Sequence, residues 1–128
     1  MSSELSILAL YGLLTVVIIV VQVTLAIPKM GLPYLATPRD EPRELDGVAG
    51  RALRCLNNSV IAMALFAPAI LILQAKGAFS DTTLLMAQIF LIARVLYVGI
   101  YLAGIPWLRT GVWGVGAIAT AYLYILAI

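Results

Sequence analysis

The 128-residue chain is 63% hydrophobic and 11% charged, where soluble domains run at roughly 45–50% and about 25%, and one small core cannot hide so much apolar sequence. Its net charge of +2, from eight Lys/Arg and six Asp/Glu, is too slight a bias for a nucleic-acid partner. With no histidine and one cysteine, Cys55, the chain lacks His-ligated metal sites, Ser-His or Cys-His nucleophile pairs and an internal disulfide. The solvent that suits this composition is lipid.

Leu5 to Ile27 carries no charge and is long enough to cross about 30 Å of hydrocarbon at about 1.5 Å per residue. It lacks the basic start of a signal peptide and is too long for its apolar segment, so it is expected to be a retained first helix. Residues 28–46 (PKMGLPYLATPRDEPRELD) hold four prolines and much of the charge, and are predicted to form a polar loop. A second span is expected over 48–75, with its first two turns polar, a third over 82–105 and a fourth over 110–128. Short turns around Lys76, Gly77, Ser80 and Asp81, and around Pro106, Trp107 and Arg109, join them. Lys29, Arg39, Arg43 and Arg109 fall on one side of the membrane and Lys76 on the other, which places the long loop in the cytoplasm and both termini outside. The fold class expected is an all-α membrane protein, residues 1–128 forming one bundle of four transmembrane helices.

Two groups of residues break the apolar pattern. Arg51, Arg54, Asn57 and Asn58 open the second span, and the spacing of Arg51, Arg54 and Asn58 puts them on one helical face. In ARVLYVGIYLAGIPWLR, Arg94, Tyr97 and Tyr101 share a face of the third span, and Arg109 stands just before the fourth. Arg94 falls near mid-membrane, where an arginine costs roughly 2.5–3.5 kcal/mol unless it meets a partner or a wet cavity. Structural roles are also open to most of these side chains. Arg51 and Arg54 can snorkel to lipid phosphates, and Tyr97 and Tyr101 can be packing residues, as Cys55 is expected to be. Trp107, Trp113, Tyr122 and Tyr124 read as an interfacial belt. Gly111, Gly114, Gly116, Ala117 and Ala121 suggest close helix contact.

The stretch PRDEPRELDGVAGRALRCLNN, followed by ARVLYVGIYLAGIPWLRTGVW, resembles the MAPEG family, the membrane-associated proteins of eicosanoid and glutathione metabolism. The likeness spans nearly the whole chain. Arg51, Arg54 and Asn58 match the family pattern R-x-x-R-x-x-x-N-x-x-E, and Arg94, Tyr97 and Tyr101 match R-x-x-[HY]-x-x-x-Y. The resemblance implies a homotrimer of four-helix bundles in a bacterial inner membrane. It implies glutathione as co-substrate, held between subunits by Arg51, Arg54, Asn58, Arg94, Tyr97 and Tyr101, with Arg109 stabilising its thiolate and no metal required. A guanidinium favours the thiolate over the thiol and grips carboxylates bidentately.

One position departs from the pattern. Ile61 stands where the family motif has glutamate, and no acid is expected within the interior of the last three spans. The resemblance therefore leaves three readings: a glutathione transferase or peroxidase acting on hydrophobic electrophiles dissolved in the bilayer, a non-catalytic binder of lipid or fatty acid, or a structural subunit of a larger membrane assembly.

Overall fold

The computed structural model describes residues 3–31 and 46–128. They form four helices: α1 (Glu4–Met30), α2 (Gly47–Ala75), α3 (Asp81–Ala103) and α4 (Pro106–Ala127). All four are long and apolar enough to cross a membrane. The bundle is built on two well-packed pairs, α3 with α4 and α1 with α2. Further contacts join α2 to α3 and α4, and α1 to α3.

Three boundaries differ from the sequence expectation, each for a local reason. Pro28, Lys29 and Met30 continue α1 instead of opening the loop. Near a helix end, a proline frees only one carbonyl and Lys29 complements the helix dipole. The rest of the expected loop, residues 32–45, lies outside the described residues. Between α3 and α4 the turn is tighter than expected. Gly104 takes a left-handed conformation (φ 78°) that ends α3 at Ala103, with its N–H and that of Ile105 donated back to the Ile100 carbonyl. Pro106 then occupies the first turn of α4, where its missing N–H costs nothing. Arg109, expected just ahead of the fourth helix, is thus part of it.

Most of the dry core lies in the half of the bundle away from the 31–46 connection. Tyr11, Phe66 and Phe90 meet there: the two phenylalanine rings stack at 3.9 Å, and Tyr11 stands edge-on to both. Ile7, Ile70, Leu73 and Leu123 close around them, all fully buried. At the outer rim of this half, the Thr83 hydroxyl donates to the buried Glu4 carboxylate at 2.6 Å, and Ser80 and Thr83 form a capping box that starts α3. The other half holds a smaller buried cluster of Cys55, Tyr97 and Tyr101, so Cys55 is a packing residue as expected. Of the small residues on α4, Gly116 meets Arg94, Ala93 and Phe90, while Gly111 and Gly114 have nothing within 4 Å of where a Cβ would stand. The expectation of close contact fails for those two within the chain, because they lie off the inward stripe of α4.

Candidate functional site

Arg94 organises the half of the bundle that holds Cys55, Tyr97 and Tyr101. It is 2% exposed. Its Nη1 donates to Asn58 Oδ1 at 2.9 Å and its Nη2 to Ser59 Oγ at 3.1 Å, and its guanidinium lies 4.2 Å from the centre of the Tyr97 ring. Tyr11 of α1 donates to the Ser59 carbonyl at 2.7 Å, so three helices converge on one polar node. Its depth follows from the helix rise. At about 1.5 Å per residue, Asn58 is roughly 16 Å from the start of α2 and Arg94 roughly 14 Å from the end of α3, close to half of a 30 Å hydrocarbon layer. Neutral oxygens and an aromatic face hold the midspan charge. Arg94 Nε has no hydrogen-bond partner among the described residues.

Toward the α3–α4 turn, Asn58, Tyr97, Tyr101, Arg109, Thr110 and Trp113 line a polar cavity of about 260 Å³. The Arg109 guanidinium lies over the Tyr101 ring, 4.7 Å from its centre, and Tyr101 stands edge-on to Tyr97 at 5.4 Å. Arg109 sits in the first turn of α4, a turn with no acidic residue. A cation there works against the helix dipole by roughly 0.3–1 kcal/mol. The Tyr101 ring offsets part of this cost by cation–π attraction, and the mouth of the cavity gains two sources of positive potential, the guanidinium and the helix N-terminus.

Deeper in the membrane an apolar groove of about 250 Å³ runs between α2 and α4. Asn58, Ile61, Ala62 and Leu65 form one wall, and Trp113, Gly116, Ala117, Thr120 and Tyr124 form the other. Arg94 and Phe90 make its floor, and Tyr124 donates to the Leu65 carbonyl at 2.5 Å to tie the walls together. Either space alone falls short of the roughly 300–1,000 Å³ usual for small-molecule pockets. They share Asn58 and Trp113, however, and so lie end to end. Arg109 and Tyr124 are about 22 Å apart along the axis of α4. Such a site suits a molecule with an anionic head and a long apolar part.

Five of the seven residues singled out in the sequence gather here: Asn58, Arg94, Tyr97, Tyr101 and Arg109. The other two stand apart from both cavities. Arg51 donates Nε to the Leu102 carbonyl at 3.1 Å and packs beside Gly104, which makes it a cap for the end of α3. Arg54 is exposed one turn before Asn58. Sequence reasoning missed Ser59, whose hydroxyl shares Arg94 with its neighbour Asn58, and it assigned Trp113 and Tyr124 to an interfacial belt. The available signal was spacing: Arg109, Trp113, Thr120 and Tyr124 fall on one stripe of α4. Among the described residues, no aspartate or glutamate lines either cavity.

The model of the MAPEG family matches residues 5–128, essentially the whole chain. No curated protein and no solved structure matches it.

Proposed function

The chain belongs to the MAPEG family, which includes glutathione transferases and related proteins, and from that premise we propose that this multi-pass membrane protein joins a glutathione-type thiol to hydrophobic electrophiles drawn from the bilayer. The thiol peptide occupies the polar cavity, with its sulfur near Arg109 and its carboxylates drawn to the positive mouth. The electrophile lies in the apolar groove with its reactive carbon near Trp113. The thiolate sulfur forms the new C–S bond. The leaving group departs with its electron pair or, for an epoxide, the opened oxygen takes a proton from water.

The observation that carries this reading is the sharing of Asn58 and Trp113 by a cation-lined cavity and a membrane-depth apolar groove. A thiol with a pKa near 8.5 is mostly protonated at neutral pH, and an adjacent guanidinium favours the reactive anion. The active unit in this proposal is a homotrimer with the groove at a subunit boundary, and the end bearing Arg51, Arg54 and Arg109 faces the cytoplasm. A conjugation and peroxidase assay on purified protein tests the chemistry. Arg109→Ala should lower the rate roughly 10²-fold or more, as the loss of an electrostatic stabiliser does elsewhere. An unchanged rate overturns the assignment of Arg109.

A second reading, non-catalytic binding of a fatty acid, is favoured by the apolar Ile61, which is 61% exposed on the groove wall. In that case fatty acid raises the melting temperature and glutathione does not.

A further inference from the structure

Arg51 stands outside both cavities yet grips the turn that carries their mouth. Early in α2, its Nε donates to the Leu102 carbonyl at 3.1 Å. A helix leaves its last carbonyls without partners of its own. The N–H groups of Gly104 and Ile105 serve those of Ile100 and Tyr101, and Arg51 serves the next. A cation is also favoured at this negative end of the α3 dipole. A side chain at Gly104 would stand 3.6 Å from both Nε and Cζ of Arg51, so the guanidinium rests against the left-handed turn residue itself.

What Arg51 holds is the reactive end of the site. Tyr101, whose ring lies under Arg109, immediately precedes Leu102. Gly104 (φ 78°) and Pro106 leave the turn little freedom, and the N–H of Arg109 donates to the Ile105 carbonyl at 3.3 Å. Asn58, which also lines the polar cavity, lies roughly two turns beyond Arg51 on α2. One hydrogen bond thus joins the helix that supplies Asn58 to the turn that supplies Tyr101 and Arg109.

We propose that Arg51 is a positioning residue for thiol activation: it fixes the α3–α4 turn against α2 and so sets the place of Arg109, and does not itself hold the thiol peptide. This inference rests on the thiol-transfer reading above and adds a residue to it. A guanidinium favours a thiolate only at short range, because the attraction falls with distance and with the entry of water. A misplacement of about 1 Å in a reacting site can cost on the order of 10²-fold in rate.

The donor is Nε, and glutamine carries its Nε2 the same number of bonds from Cα. Arg51→Gln therefore keeps a donor and drops the charge, while Arg51→Met keeps the length of the stem and drops both. Conjugation of glutathione to an activated aryl chloride, followed against pH on the purified full chain in nanodiscs, separates them. Arg51→Gln is expected to hold both KM for glutathione and the pH of half-maximal rate near those of the parent. Arg51→Met should keep KM within about threefold, lose about tenfold in kcat at neutral pH and recover much of it at higher pH, because a less stabilised thiolate forms later. A large rise in KM in Arg51→Gln would show that Arg51 grips the peptide. A pH midpoint raised equally in both variants would show that its charge matters and its bond does not. Either result, or parent-like behaviour of Arg51→Met, overturns the inference and leaves thiol transfer standing. The glutamine comparison stands even where the methionine variant fails to assemble. A parent chain that forms no conjugate overturns the thiol reading itself, and the inference with it.

Discussion

Arg94 of α3 donates Nη1 to Asn58 Oδ1 of α2 across 2.9 Å, near the middle of both spans. Hydrogen bonds to charged groups contribute about 1.5–3 kcal/mol each, and an abandoned buried charge costs more. Asn58→Leu keeps the volume and removes the acceptor. It should destabilise the bundle by about 2 kcal/mol or more, seen as a fall in the midpoint of unfolding by denaturing detergent. Asn58→Asp should hold the midpoint near that of the parent, because it restores an acceptor and adds the missing negative charge. Equal losses in both variants would show that the amide packs and does not anchor.

The Tyr101 ring beneath Arg109 yields a second expectation. Cation–π contact is worth about 0.5–2 kcal/mol and depends on the ring and not the hydroxyl. Tyr101→Phe should therefore retain most of the conjugation rate, while Tyr101→Leu, which frees the guanidinium, lowers it several-fold and raises the pH at which the rate reaches half of its maximum. A large loss in the phenylalanine variant would instead assign work to the hydroxyl.

Filling the groove separates binding of the electrophile from thiol activation. Ala117 lines the groove wall, and Ala117→Phe places a ring in the path of a long apolar chain. KM for bulky, membrane-partitioned electrophiles should rise by about tenfold, the equivalent of 1.4 kcal/mol, while small electrophiles react at close to the parent rate. A parallel loss for both classes would remove the groove from the substrate path.

The sequence makes the four spans legible because predominantly apolar runs of about twenty residues have few alternatives in lipid. It also makes Arg94 legible, since a midspan cation is rare enough to stand out. Turn geometry is harder to read. The left-handed Gly104 and the proline in the first turn of α4 are interpretable once seen, but either could belong to a longer connection. Partner choice is hardest of all. Arg51 and Arg109 look alike as polar residues near span ends, yet one reaches the Leu102 carbonyl and the other the Tyr101 ring, a difference set by where α3 ends. Trp113 illustrates the same limit, because an aromatic near a span end fits both a lipid interface and a cavity wall until its neighbours are known.

A homotrimer is the proposed assembly, and native mass spectrometry in mild detergent reads it directly. The predominant species should carry three chains. Concentration-independent monomers that retain conjugation activity would contradict a site that lies at a subunit boundary.

The central claim is that Arg109 stabilises a bound thiolate, and ultraviolet difference spectroscopy of the purified protein with glutathione measures that anion directly. The account predicts a thiolate band on addition of glutathione, titrating below the ordinary thiol value of about 8.5, that disappears in Arg109→Ala although the peptide still binds. A band of equal size and equal pH dependence in Arg109→Ala, or no band in the parent at saturating peptide, would contradict it.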